Sequence, residues 1–272
     1  MKVLLTNDDG ISATGLNMLR QALLELPGIE LAVIAPDSNR SATARSITFR
    51  EPLEVEEVEF GDGTSGFATS GTPVDCVRFA ALGLIDLEPD LIVSGINHGA
   101  NLGDDITYSG TVAAAFEGIM LGLPAIAVSQ QADHGEMDFR AGTAWSREGF
   151  EQAAAFVARL VEELEQVPMP EGTLLNVNTP AGDAAGVRAC RLGKRIYRDR
   201  MELTDEEEGR RRYRIYGDSP GFHREEGTDF AAIADRCISV TPLHFDLTDQ
   251  AGIEALSGFD LERLLRPAAR EV

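Results

Sequence analysis

The sequence predicts an α/β protein with a doubly wound, mostly parallel central sheet. Three observations lead there. Short apolar runs alternate with helical patterns over the first 130 residues, the runs are apolar enough to be buried on both faces, and polar, glycine-rich clusters follow several of them. The first run is "KVLLT", closed by Asn7, Asp8, Asp9 and Gly10. "GLNMLRQALLEL" then places Leu16, Leu19, Leu23 and Leu26 on one helical stripe before Pro27-Gly28 breaks it. "ELAVIAP" is the next strand, ended by Pro36; "DLIVSG" (90–95) and "PAIAVS" (124–129) are further strands. Between those two, "GTVAAAFEGIMLG" is a small-residue helix closed by Gly122. Strands separated by helices argue for parallel pairing with right-handed crossovers.

Other stretches depart from this rhythm. "EPLEVEEVEFGDGTSGFAT", after Arg50, reads as a polar-alternating hairpin or an excursion from the core. A long amphipathic helix is expected from Gly142 to Gln166, followed by "VPMPEG" and the run "TLLNVNTP". From about Ala181 to Gly227 charged blocks dominate, read as extended strands or an exposed arm, with "TDEEEGRRR" placed in a solvated turn. The division adopted is a core of residues 1–185 and a C-terminal extension of residues 186–272 that packs back on it.

With 272 residues, 43% hydrophobic and 25% charged, the chain is long and apolar enough to bury a full core. It has no run of about 18 apolar residues and no basic-then-apolar leader pattern, so the expected location is cytoplasmic, with no membrane partner. Cys76, Cys190 and Cys237 are odd in number, far apart and set among apolar residues, which predicts buried free thiols. The net charge of −21 argues against a nucleic-acid duplex as partner, because phosphate backbones need basic surfaces. Lys2 and Lys194 are the only lysines; a surface this acidic suits concentrated salt, where self-repulsion is screened, though arginine for lysine also follows from a GC-rich genome.

In parallel α/β sheets ligands bind beyond the carboxyl ends of the strands, and three polar clusters fall there. They are Asn7-Asp8-Asp9-Gly10, "PDSNRSATARS" (36–46) and "SGINHGANLGDD" (94–105). Side-by-side acids are costly to bury without a counter-charge, so the first cluster is either a solvated turn or a divalent-cation site, with Gly10 allowing the bend that brings both carboxylates to one ion. Asn39, Arg40 and Ser41 are turn formers or ligands by the same alternatives. The glycines of the third cluster suggest backbone pressed close to a ligand. "TYSGTVAAAFEG" then sets Ser109, Gly110 and Thr111 at a helix start, where N–H groups suit a phosphate and where a serine or threonine also serves as N-cap.

Together "LLTNDDGI", "APDSNRSA", "SGTPVDCV", "SGINHGANLGDDITYSGTVAAAFEG" and "TDFAAI…ISVTPLHFDLT" resemble the SurE family of survival-protein nucleotidases, in order from residue 1 to about 250. The resemblance implies a Rossmann-like α/β fold and a metal-dependent phosphatase acting on nucleoside 5′- and 3′-monophosphates and, in some members, short polyphosphate. It implies one divalent cation per subunit, magnesium or manganese, held by Asp8, Asp9, Ser41 and Asn97, with Asp8 and Asp9 also catalytic. Asn101, Ser109, Gly110 and Thr111 would hold the phosphate, and C-terminal extensions would build a homodimer or homotetramer. Two positions depart from the family pattern: Thr14 stands where proline is usual, and Ala42 where glycine is usual. His98 is expected at the rim of the site and His244 in a structural stretch; His134 and His223 carry no pattern.

Three rival readings stand beside this one. An aspartyl-phosphate route wants a D-x-D pair, whereas these acids are adjacent. A non-catalytic nucleotide- or metal-binding module would bind without turnover. A dinucleotide oxidoreductase lacks its G-x-G-x-x-G after the first strand.

Overall fold

In the computed structural model, which describes residues 1–137, 147–215 and 220–265, the run "KVLLT" is a central strand buried on both faces. Val3 and Leu5 face one way and Leu4 the other, as a period of two requires. In chain order the elements are β1 (Lys2–Thr6), α1 (Thr14–Leu24), β2 (Glu30–Pro36), β3 (Val55–Glu59), β4 (Ser65–Thr69), α2 (Pro73–Ala81) and β5 (Leu91–His98). There follow α3 (Gly110–Met120), β6 (Ala125–Gln130), α4 (Arg147–Glu162), β7 (Thr173–Thr179), β8 (Gly186–Ala189) and β9 (Arg195–Ile196). The last are β10 (Glu202–Glu207), β11 (Arg210–Arg214), β12 (Gly221–Phe222), α5 (Asp229–Ala234), β13 (Cys237–His244) and α6 (Gln250–Ser257).

Among the described residues, nine strands form the main sheet in the order β3-β4-β2-β1-β5-β6-β7-β13-β8. From β4 through to β7 all neighbours are parallel; β3 joins β4 antiparallel, β13 joins β7 antiparallel, and β8 is parallel to β13. Helices cover both faces. Val3 and Leu5 pack with Leu16, Leu19 and Leu23 of α1 and with Phe150 and Val157 of α4. Leu4 packs on the opposite face with Val77 of α2 and Val112 and Ala115 of α3. This is the doubly wound α/β architecture, and its strand order reverses between β1 and β5, because the chain grows outward first through β2 and β4 and then through β6 and β7. Such a switch point opens a crevice at the strands' carboxyl ends.

The stretch after Arg50 is the hairpin β3-β4, and it is part of the sheet rather than an excursion from it. Its turn is pinned to α1 by buried Arg20, which donates to Asp62 (2.7 Å) and Thr64 (2.6 Å) and lies over the Phe60 ring. The amphipathic helix runs over Arg147–Glu162 with a further 3-10 turn at Leu164–Gln166, and residues 142–146 of the expected span lie outside the described residues. "TDEEEGRRR" is a two-stranded ribbon, β10-β11, in which Glu208-Gly209 alone makes the turn. Its strands are exposed on both faces, so no apolar period marks them; cross-strand pairs of Arg212 with Asp205 (2.9 Å) and Arg211 with Glu206 (3.1 Å) accompany the register. All three cysteines are buried and free. No described helix is long and apolar enough to cross a membrane.

Candidate metal and phosphate site

The three polar clusters meet at the β1/β5 switch point. β1 ends at Thr6, and Asn7 closes the next turn on itself: its Nδ2 donates to Gly10 O (3.0 Å) and its Oδ1 accepts the Gly10 N–H (3.2 Å). Gly10 has φ +105°, and a Cβ there would stand 3.2 Å from the Ser38 carbonyl carbon, so glycine is required both for the bend and for the approach of the 37–48 loop. The two acids leave the strand in different directions. Asp8 turns to the start of α3, where its Oδ1 accepts the Thr111 hydroxyl (2.6 Å) and its Oδ2 the Thr111 N–H (3.1 Å). Asp9 turns between the other two clusters, accepting Asn39 Nδ2 (3.1 Å) and the His98 N–H (2.9 Å).

Burial, and then repulsion by Asp9, pushes the Asp8 carboxyl up to about 6 against the lowering effect of its Thr111 bonds. Burial likewise pushes Asp9 up. Two adjacent acids are thus held where ionising both is unfavourable in the protein alone.

Ser41 is brought into the same cleft as Asp8 by an irregular loop. Arg40 N–H donates to Asp8 O (2.6 Å), Ser41 N–H to Asn39 Oδ1 (2.8 Å), and Ala44 N–H to Tyr108 O (3.1 Å). Ala42 lies at φ +59°, the left-handed region, which accounts for glycine as the usual residue there. Thr14, the other departure, is the first residue of α1, where proline fits but is not needed.

Asn97 comes from the end of β5, where pairing with β6 shifts register between Ser94 and Asn97. Its Nδ2 donates to Gly99 O (2.6 Å), which leaves Oδ1 as the atom it could offer to a cation. Asp8, Ser41, Asn97, His98, Asn101, Asp105, Tyr108 and Ser109 line one cleft. The donor set offered to a cation, two carboxylates, a hydroxyl and a carboxamide oxygen, is all oxygen and suits a hard divalent ion. The unfavourable charge of the buried pair is what such an ion would offset.

The phosphate candidates divide. Ser109 is the N-cap of α3, its Oγ accepting the Val112 N–H (3.1 Å), so the capping alternative holds, and it also lines the cleft. Gly110 lets Asp8 approach: an added Cβ would sit 2.8 Å from the Asp8 Cβ and 2.9 Å from its Oδ2. Thr111 is fully buried and both of its donors end on Asp8. That arrangement positions a carboxylate; it does not present a donor to the cleft.

Asn101 is the most elaborately held. Its N–H donates to Asn178 Oδ1 (2.7 Å), its carbonyl accepts from Asn176 Nδ2 (2.9 Å) and Asn178 Nδ2 (3.0 Å), and its Nδ2 donates to Ser129 Oγ (2.8 Å). Asn176 and Asn178 were not singled out from sequence. The signal available was two asparagines spaced by two inside the apolar run "TLLNVNTP".

The C-terminal part of the chain supports the same loop. Asp229, the aspartate of "TDFAAI", accepts the Gly103 N–H (2.7 Å) and the Gly193 N–H (2.8 Å). Buried Asp105 accepts Arg195 Nε (2.8 Å) and Nη2 and the Tyr197 hydroxyl (2.9 Å). These ties fix the 3-10 turn Gly103–Tyr108 that leads into Ser109. His98 lines the cleft with its ring against Phe150 (4.8 Å) and its Nε2 accepting the Gly15 N–H (3.4 Å); burial lowers its pKa. His244 ends β13, its Nδ1 accepting the Asp246 N–H (3.2 Å), away from the cleft.

Comparison with known proteins agrees with the motifs. The profile of the family described as "Survival protein SurE" matches residues 3–199. A protein named 5′-nucleotidase SurE from Rubrobacter xylanophilus is 50% identical over 275 residues, covering 97% of this chain and 99% of its own length. One of the same name from Chloroflexus aggregans is 44% identical over 266 residues, covering 96% of this chain and 100% of its own. The crystal structure of the SurE protein from Aquifex aeolicus superposes with a TM-score of 0.76 at 38% identity, over 94% of this chain and 100% of that one. With its motifs in order and relatives matching from end to end, this chain belongs to the SurE family.

Proposed function

We propose that the chain is a nucleotidase: a divalent-metal-dependent phosphatase releasing phosphate from nucleoside 5′- and 3′-monophosphates. The observation that carries the reading is the adjacent pair Asp8–Asp9 at the switch point, Asp8 buried and Asp9 half-buried, with the oxygen-bearing side chains of Ser41 and Asn97 in the same cleft as Asp8. Relatives of half or nearly half identity named 5′-nucleotidase support the nucleotide as substrate.

In this reading Asp8, Asp9, Ser41 and Asn97 hold one magnesium or manganese ion. When bound, the ion orients the phosphate, polarises its oxygens and lowers the pKa of a coordinated water. The protein's own groups do the rest. Thr111 fixes the Asp8 carboxylate, and Asn39 and the His98 N–H fix Asp9. A carboxylate oxygen of either acid that the ion does not engage takes the proton from the attacking water. Asn101, held by Ser129 and Asn178, and the Ser109–Gly110 start of α3 face the phosphoryl oxygens, where loss of one donor costs about 3 kcal/mol of barrier. Tyr108, half exposed at the cleft, stands on the side open to the leaving nucleoside.

Residues 186–272 serve in the same proposal as the extension through which a homodimer or homotetramer forms. Among its described residues, α6 buries none, and Ile253, Leu256, Phe259 and Leu261 are exposed. The three reduced, buried thiols accord with work in the cytoplasm.

The test is phosphate release from a panel of nucleoside 5′- and 3′-monophosphates with magnesium, manganese or EDTA, at low and high salt. Release that EDTA abolishes and added metal restores is expected. Folded protein that binds nucleotide with metal and yields no phosphate under any condition would make it a non-catalytic binding module.

A further inference from the structure

Ser41 sits in a long irregular loop with no regular secondary structure on either side of it to hold it. Its loop, residues 37–48, is largely exposed and contains two alanines, Ala42 (φ +59°) and Ala44 (φ +54°), in the left-handed region. A left-handed conformation is strained for alanine, so the loop stays in place only if its flanks are tied down. On one flank Arg40 does this, with its N–H on Asp8 O and its guanidinium on Ser70 O (2.9 Å) and Asp37 (2.9 Å). On the other flank Arg45 reaches Glu117 of α3, Nη2 to Oε2 at 2.6 Å, and lies over the Phe245 ring. Glu117 is 2% exposed and carries a second arginine, Arg78 of α2, Nε to Oε1 at 2.9 Å. The same helix starts with the Gly110-Thr111 pair that seats Asp8.

We infer that the Arg45–Glu117 ion pair is a positioning device for the Ser41 ligand, locking the loop that carries it to the helix that holds Asp8. This rests on the metal-site reading above. Neither residue touches the proposed ion or phosphate; they act through the loop. Glu117 is served by two arginines, and only Arg45 belongs to the loop. Loss of Arg78 leaves the loop anchored, and loss of Arg45 leaves Glu117 still paired.

The experiment compares Arg45→Met with Arg78→Met in the full-length protein. Methionine keeps an unbranched stem, and each variant removes one positive charge and one bond to Glu117. Manganese binding is measured by electron paramagnetic resonance of free Mn²⁺, without nucleotide, and unfolding of both proteins by urea in EDTA. The expected result is Mn²⁺ affinity about tenfold weaker in Arg45→Met, the low end of what loss of a supporting contact does to a metal site. Arg78→Met should bind within twofold of the parent. Equal Mn²⁺ affinity in the two variants, whether both unchanged or both weakened alike, overturns the inference. A parent protein that binds no Mn²⁺ overturns the metal reading itself and the inference with it.

Discussion

Replacing Asp8 by Asn in metal-free protein should make the fold more stable while ending its function. Asp8 is 3% exposed, and its pKa is raised from 3.8 to about 6 by burial first and Asp9 second. At about 1.4 kcal/mol per unit, this corresponds to about 3 kcal/mol by which the ionised carboxylate disfavours the folded state. A carboxyl whose folded pKa is raised adds stability below its unfolded value, near 3.8, and that contribution is lost as pH rises through about 6. At pH 7.5 the parent therefore carries the whole penalty. Asparagine removes the charge and keeps both bonds: its Oδ1 accepts the Thr111 N–H, and the Thr111 hydroxyl turns round to accept from Nδ2. The gain in unfolding free energy in EDTA at pH 7.5 should be about 2–3 kcal/mol, read from urea titrations at fixed ionic strength. At pH 4.5, where the parent's Asp8 is largely protonated, it should fall below about 1 kcal/mol. Added magnesium should stabilise the parent and not the variant, reversing their order. An Asp8→Asn protein no more stable than the parent at pH 7.5, or one whose advantage is the same at pH 4.5, would refute this account of the site's electrostatics.

Three other substitutions test the supports. Gly110→Ala puts a Cβ 2.8 Å from that of Asp8 and should displace the carboxylate, cutting phosphate release about 10²-fold, with a crystal structure showing the shift. Asn178→Ala strips a donor and an acceptor from the buried Asn101 peptide and should cost about 2–4 kcal/mol in urea unfolding, with a raised KM for nucleotide. Ala42→Gly relieves a left-handed alanine at φ +59°, and after the added freedom of glycine in the unfolded chain should stabilise the protein by up to about 1 kcal/mol, again read by urea unfolding.

The elements legible in sequence were those whose burial repeats with a period. Leu16, Leu19 and Leu23 are all fully buried on α1, and the apolar runs became the parallel strands that meet at the switch point. The β10-β11 ribbon had no such period, since a strand solvated on both faces needs no apolar residue on either. β8 and β13 join the main sheet from beyond residue 185, a long-range pairing that no local pattern announces. At the site, the residues with a rare backbone need could be read, Gly10 above all. The ones acting through a partner distant in sequence could not. Thr111 reads as a helix-start donor until Asp8, 103 residues away, takes both its N–H and its hydroxyl. Asp105 and Arg195, 90 residues apart, look like two unrelated surface charges and form a buried pair.

The adjacent acids make sense once their opposite directions are taken with what each one touches. Asp8 reports to α3 through Thr111, and Asp9 to the 37–48 loop through Asn39 and to β5 through the His98 N–H. The Asp8 carbonyl, in turn, receives the Arg40 N–H beside Ser41. Each candidate ligand is thus bonded, directly or through its neighbour in sequence, to a segment that supplies another. Two consecutive residues can do this only where a strand stops, because within a strand their side chains would point to opposite faces and never share a ligand. The same bonds that hold the two carboxylates also draw them away from water, so the geometry that assembles the donors creates the electrostatic cost. The divalent cation proposed above would turn that cost to advantage. Substitutions of these acids should therefore separate stability from activity in opposite directions, whereas substitutions of the groups that hold them should lower both.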